Sequence, residues 1–223
     1  MPDDLVSTRH SLHAVAEQVL AGPQHRRTGS IKLRVAGEGF TTDDLPGEPS
    51  RIELRGTTLI AHRSSGRRVV KLAGTIAALA EAIDVEPGPP RGVYDAGSGT
   101  DPSFLLQVDE ASALVLLRAL RWGDAALRRF AAAHSRGKPE VPVLWPEHFD
   151  VAITLDEVNY GVSPGDEYLA EPYAYVGPWR QRSGPFWNQP FGAAQPVGDL
   201  GSEDAVLAFF EDGRRAATAD PMA

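Results

Sequence analysis

The sequence predicts an α+β fold, with two antiparallel sheet regions packed around a long amphipathic helix and flanked by N- and C-terminal helices. Three observations carry this. Apolar residues recur with helical spacing over 8–21, 110–134 and about 203–215. They recur with a period of two over 29–71, and short strand-like runs broken by Pro and Gly return over 147–197. The longest helical pattern stands between the two strand-rich stretches, and no internal repeat is present.

Residues 8–21 place Leu12, Val15, Ala16 and Val19 on one helix face, and Gly22-Pro23 is expected to end the helix. Ile31, Leu33 and Val35, then Ile52 and Leu54, then Leu59 and Val69 around a Ser64-Ser65-Gly66 turn read as an antiparallel meander. Thr75 is placed to cap a short helix, 76–83, with Ile76, Leu79, Ala80 and Ile83 on one side. Residues 87–102 hold four prolines and four glycines and read as a linker between 1–86 and 103–223, within a chain expected to form a single compact domain. Asp109 is the cap expected for helix 110–134, whose Val115, Leu116, Ala119, Leu120, Trp122, Ala126, Leu127 and Phe130 share a side. Leu114 and Leu117 fall on its polar side, so either the helix is covered all round or those two leucines meet a second copy of the chain. Ser202 is expected to cap a last helix from Glu203 to Arg215, with acids at its start and Arg214 and Arg215 at its end, matching the helix dipole.

Composition narrows the chemistry. The 223 residues include no cysteine, which excludes disulfides, thiolate metal sites and a thiol nucleophile. No apolar run reaches the roughly 18 residues of a membrane span, and the first twenty residues, with Asp3, Asp4 and Arg9, lack the apolar stretch of a signal peptide. A soluble, cytoplasmic protein is expected. A net charge of −8 argues against nucleic acid or an anionic membrane as partner. The charge is unevenly spread: residues 1–140 carry 18 of the 22 basic and 17 of the 30 acidic residues, so the remaining 83 residues hold a net of −9.

Several local patterns in the first half carry little. His10, His13 and Glu17 share a helix face and could present three metal ligands, but that face lies opposite the apolar stripe, and a solvated surface is the stronger reading. The hairpin His62-Arg63-Ser64-Ser65-Gly66-Arg67-Arg68 with Lys71 is basic enough to hold a phosphate or carboxylate, yet hairpin tips are ordinarily just polar. Gly97-Ser98-Gly99-Thr100 lacks the ending of a phosphate loop and reads as linker, and no Gly-x-Ser-x-Gly elbow occurs.

The informative stretch is 145–191, where ten of the 17 aromatic residues coincide with seven carboxylates between Glu147 and Glu171. If 147–155 is a strand, His148, Asp150, Ala152 and Thr154 share one side and Glu147, Phe149, Val151, Ile153 and Leu155 the other. His148 and Asp150 would then point together, as two ligands of a divalent metal or as a base with its orienting acid. Asp166 and Glu167 of the Ser163–Glu167 turn, with Glu171, could complete a metal set. The competing reading has these acids accept backbone hydrogen bonds in turns. Seven uncompensated carboxylates repel one another, which asks for a counter-charge: a metal, or Arg180 and Arg182.

The motifs Leu-Trp-Pro-Glu-His-Phe-Asp at 144–150, Ser-Pro-Gly-Asp-Glu at 163–167, Glu-Pro-Tyr-Ala-Tyr-Val at 171–176 and Phe-Trp-Asn at 186–188 resemble an uncharacterised bacterial domain-of-unknown-function family. Its signature is a Trp-Pro-x-His-Phe-Asp segment followed by Gly-Asp-Glu and Glu-Pro-Tyr segments. The resemblance covers about 50 residues of the C-terminal part and implies no reaction. The leading expectation is a small-molecule pocket lined by Trp145, Tyr160, Tyr173, Tyr175, Trp179 and Trp187, with His148, Asp150, Asp166, Glu167 and Arg180 as polar anchors. Its alternatives are a metal-dependent hydrolase using His148, Asp150, Asp166, Glu167 and Glu171 with a divalent cation, and a ligand-free protein interface anchored by Tyr and Trp.

Overall fold

The structure is a computed structural model that describes residues 2–95 and 97–219. The α+β class is as expected: two five-stranded antiparallel sheets, a long helix, and helices at both ends. The chain divides into two compact units, one of the residues up to Arg118 with Leu144–Phe149, the other of Ala119–Val143 and the residues from Asp150 on. The dividing point lies inside the long helix and not in 87–102.

In the first unit, helix α1 (Pro2–Val15) passes through a π-helical segment (Ala16–Ala21) into α2 (Gly22–Thr28). The helix does not stop at Gly22-Pro23. Proline has no N–H to give and its ring collides with the carbonyl four residues back; the wider π turn just before it relieves that collision. The stop comes at Gly29, left-handed at φ 74°, whose N–H closes on the His25 carbonyl at 2.8 Å. The run is enclosed all round from Ser11 to Gln24 except at half-buried His13: Leu12, Val15, Val19 and Leu20 are buried, but so are Ser11, Glu17, Gln18 and Gln24. The face bearing Glu17 is therefore not solvated.

Strands β1 (Arg34–Ala36), β2 (Gly39–Thr41), β3 (Arg51–Arg55), β4 (Thr58–Arg63) and β5 (Gly66–Lys71) form the expected meander, in sequential order. Leu59 pairs across to Leu54 and Val70, while Val69 is one residue out of phase and 61% exposed. The basic hairpin has an internal use. Arg63 donates to the Ile83 carbonyl at 2.6 Å and Arg68 to that of Ala82 at 2.9 Å, closing the C-terminal end of α3 (Ile76–Ala82). Thr75 caps that helix as expected, accepting from the Ala78 N–H at 3.2 Å.

The segment 87–102 does not join domains. It straps across the first helices: the Gly88 N–H donates to the Gln18 carbonyl at 3.0 Å, and Ser98 and Thr100 bond to Glu17 and Gln18. A Cβ at Gly22 would lie 1.7 Å from the Gly88 carbonyl oxygen, so only glycine lets the strap approach.

Helix α4 (Glu110–His134) has the expected bounds and cap, with the Ser112 N–H on Asp109 at 2.8 Å. Leu117 is 3% exposed and is covered by its own chain, which removes it from any contact with a second copy; Leu114 is 58% exposed. In the second unit, β7 (Asp150–Leu155), β8 (Val158–Ser163), β9 (Tyr173–Pro178) and β10 (Ala193–Pro196) pair antiparallel in order; β6 (Val143–Trp145), whose Leu144 and Trp145 belong to the first unit, is the fifth strand in the sheet order. Short α5 (Val197–Leu200) leads to α6 (Glu203–Ala219), on whose Ser202 cap the Ala205 N–H bonds at 3.2 Å. One sheet face is apolar: Val151 and Ile153 pair with Val162 and Tyr160, and these with Ala174 and Val176. Helices press on it through glycines: a Cβ would come within 2.7 Å of Val162 at Gly123 and 2.6 Å of Val176 at Gly213. Among the described residues no helix is long and apolar enough to cross a membrane.

Candidate functional site

The opposite face of the second sheet is built from small and polar residues. Alternation along the strands puts Asp150, Ala152 and Thr154 of β7, Asn159, Gly161 and Ser163 of β8, and Tyr173 and Tyr175 of β9 on it. Cross-strand pairing aligns Ala152, Gly161 and Tyr175 in one row. A Cβ at Gly161 would lie 2.5 Å from the Tyr175 ring and its hydroxyl. The ring therefore lies flat over Gly161, which lets its hydroxyl cross β8 and donate to Asp150 on β7. In the next row the Tyr173 hydroxyl donates to Asp166, whose other oxygen accepts from the Tyr168 and Leu169 N–H groups at 2.8 and 3.1 Å. The two tyrosine rings are 6.3 Å apart.

Burial pushes the Tyr175 hydroxyl well above the usual tyrosine value, and the Asp150 charge adds to this; burial and then Asp166 do the same for Tyr173. Asp150, 7% exposed, is an enclosed carboxylate served by a neutral donor. The arrangement can offer hydrogen-bond acceptors and two rigid aromatic rings to a small molecule.

The structure brings together four of the expected residues, Asp150, Asp166, Tyr173 and Tyr175, and disperses the others. His148 does not share a strand side with Asp150. Residues 146–149 form a turn, Phe149 takes φ 55°, its N–H bonds back to the Trp145 carbonyl at 2.8 Å, and the strand begins only at Asp150. His148 and Trp145, the latter under the Lys32 ammonium at 5.7 Å, belong to the first unit. Tyr160 is on the apolar face, 1% exposed, 4.6 Å from Phe130 between ring centroids, and burial pushes its hydroxyl up to about 12. It is core, not pocket lining. Trp187 stacks edge-on against Phe186, which contacts Phe209 of α6. Trp179 is 64% exposed with its indole N–H on Asn159 at 3.2 Å, and Glu167, Glu171 and Arg180 are exposed. Among the described residues no three His, Asp or Glu side chains come together as a metal-binding group. Asp166 fulfils the turn reading instead, with both oxygens engaged.

A second cluster, in the first unit, joins two patterns that the sequence reading weighed separately, the helix face of His10, His13 and Glu17 and the Gly97–Thr100 segment. Glu17, 3% exposed on the π-helical segment, accepts from both the N–H (3.0 Å) and the hydroxyl of Ser98. The Ser98 hydroxyl touches that of Thr100 at 2.7 Å, and Thr100 accepts from the fully buried Gln18 amide. His10 donates to the Ser98 carbonyl at 2.9 Å. His13 stacks on Phe149 (5.3 Å, 6°) and donates to the Pro146 carbonyl at 2.7 Å, with burial lowering its basicity. Tyr94 faces Glu17 and Glu147, and burial followed by those charges raises its hydroxyl well above the usual value. The signal in the sequence was the alternation Gly97-Ser98-Gly99-Thr100: small hydroxylic residues between glycines suit a chain that must lie close on a helix.

No family model matches the chain, and no curated protein or solved structure is similar enough to it to indicate a family or a reaction.

Proposed function

We propose that the chain is a small-molecule-binding protein whose ligand engages the tyrosine–carboxylate face of the second sheet, with Asp150, Asp166, Tyr173 and Tyr175 as its polar and aromatic contacts. The observation that carries this reading is the Tyr175–Asp150 bond laid across Gly161, an enclosed phenol and carboxylate held in fixed geometry on rigid strands. The surrounding charge favours a neutral or cationic ligand with hydrogen-bond donors, because residues 141–223 are strongly acidic. The face lies in the stretch whose motifs resemble the uncharacterised bacterial family. Among the described residues, the carboxylate and imidazole groups of the hydrolase alternative do not come together as a metal-binding group.

A thermal-shift screen of polar small molecules against the wild type, Asp150→Asn and Tyr175→Phe tests it. The reading expects at least one compound to raise the wild-type melting temperature in a saturable, dose-dependent way, with the shift lost in both variants. Compounds that stabilise all three proteins equally, or none that stabilises the wild type, would refute it. A second reading, a protein interface, is favoured by the exposure of Trp179 and of Tyr168, which packs edge-on to Phe191 at 5.5 Å. Substituting Trp179 and Tyr168 by serine would leave ligand shifts intact and abolish a protein contact.

A further inference from the structure

We propose that the outer edge of the first sheet takes up an extended acidic peptide as a sixth strand beside β5. A strand edge presents a row of backbone N–H and C=O groups that another chain can pair, so folded proteins close or guard their edges. Other edges here are closed. Beside β1, Leu33 exchanges both backbone bonds with Leu144, at 3.2 and 3.0 Å. On β10 the Asn188 side chain stands in for a strand: its amide donates to the Ala194 carbonyl at 3.0 Å and its oxygen accepts the Ala194 N–H at 2.9 Å. Strand β5 ends its sheet, and its register shows which groups it leaves open. The Leu72 N–H donates to the Thr57 carbonyl at 2.9 Å, one position beyond the Lys71–Thr58 pair, so Lys71, and with it Val69 and Arg67, turn N–H and C=O away from β4. Among the described residues nothing bonds to those groups.

The same three residues select the partner. Their side chains share one face, where pairing sets Arg67 beside His62, Val69 beside Ile60 and Lys71 beside Thr58. Arg51 and Arg55 of β3 stand on that face too, and the carboxylate between them, Glu53, already serves Arg55 at 2.6 Å and His62 at 3.1 Å. Arg63 and Arg68 are engaged with α3, whereas Arg67 and Lys71 are exposed and, among the described residues, have no acid partner. Val69, 61% exposed, is an apolar contact between the two charges. An incoming strand therefore meets cation, apolar and cation at alternate positions, and its complement is acid, apolar and acid, as in Glu-x-Val-x-Glu. A second copy of the same edge is the wrong partner, because antiparallel pairing about Val69 sets Arg67 against Lys71. Nucleic acid would match the charge but leave the backbone row unused, and these positions of β3, β4 and β5 offer no Phe, Tyr or Trp on which a base could stack.

Titration of the 15N-labelled full chain with the end-blocked peptide Thr-Glu-Thr-Val-Thr-Glu-Thr, followed by amide shifts and hydrogen exchange, tests this. The free protein should exchange quickly at the Arg67, Val69 and Lys71 amides and slowly at those of Arg68 and Val70, which face β4. Peptide at ten times its Kd should slow the first three about tenfold, the factor that mass action gives when exchange requires the added strand to leave. The same peptide N-methylated at its valine should bind roughly tenfold more weakly or worse, the scale of one lost backbone bond. Arg67→Glu combined with Lys71→Glu should reverse the preference, toward Thr-Lys-Thr-Val-Thr-Lys-Thr. Val69→Pro deletes an outward N–H that has no partner, so the fold should persist while peptide binding falls about tenfold or more; if that variant unfolds, the N-methylated peptide still decides the point. No saturable shift at β5, shifts without slowed exchange, equal binding of the N-methylated peptide, or oligothymidylate or a second copy of the chain occupying the edge in the peptide's place would overturn the proposal.

Discussion

Replacing Tyr175 by phenylalanine removes one oxygen from an enclosed hydrogen bond and leaves the ring that covers Gly161. The partner lost to Asp150 is a neutral donor to a carboxylate 7% exposed, and hydrogen bonds to charged groups contribute about 1.5–3 kcal/mol. Because the ring still fills its place, little is added for a cavity, so a loss of about 2 kcal/mol is expected. Equilibrium urea unfolding followed by tryptophan fluorescence measures it. Trp122, Trp179 and Trp187 belong to the second unit and Trp145 to the first, so the signal reports chiefly on the region perturbed. The midpoint should fall with the slope unchanged. A double-mutant cycle with Asp150→Asn should give a coupling of about 1 kcal/mol or more, since the two side chains share one bond. A loss below about 0.5 kcal/mol, the range of ordinary surface substitutions, or two losses that simply add, would refute the claim that this bond is made in an enclosed site.

Four further outcomes are expected. Tyr94, Tyr160, Tyr173 and Tyr175 all have hydroxyls raised above the ordinary value, Tyr160 to about 12. Their protons leave the unfolded chain first, so this contribution to stability is whole below pH about 10 and is lost as pH rises beyond it. An absorbance titration at 295 nm should show these phenolates forming only as the protein unfolds, and their complete formation near pH 10 in a folded protein would contradict the burial of these rings. Gly161→Ala should cost at least as much as Tyr175→Phe, because the new Cβ meets the ring itself; equal urea midpoints for wild type and variant would count against the flat ring. Gly123→Ala should cost about 1–3 kcal/mol by forcing α4 off Val151 and Val162, read as a lowered urea midpoint. Ser98→Ala removes one donor to buried Glu17, and hydrogen exchange should quicken at the strap, above all at the Gly88 N–H.

The elements were legible where local chemistry decides them. Helix α4 has its expected ends because Asp109 is a good cap and the apolar stripe is continuous; Thr75 and Ser202 cap where the sequence places them. Local chemistry fails where the deciding contact is distant or the backbone departs from its period. The pairing of His148 with Asp150 assumed alternation through Phe149, whose left-handed turn interrupts it. The solvated face of His10, His13 and Glu17 assumed that nothing covers the helix, yet a strap about 80 residues downstream does so through Ser98. Tyr160 and Tyr175 are both β-strand tyrosines in the same acidic stretch, and only strand register assigns one to the core and the other to the polar face. Asp150 and Asp166 were legible as acids of consequence, while the tyrosines that serve them depend on cross-strand geometry set by Gly161.

The measurement that bears most directly on ligand binding at the second sheet is NMR of protein carrying 13C-labelled tyrosine rings, titrated with the compounds that raise the melting temperature. Saturable shifts of the Tyr173 and Tyr175 ring signals, with Tyr160 unmoved, are the predicted result. Shifts confined to exposed Tyr168, or rings that stay still while the ligand binds, would place the ligand elsewhere and contradict the account.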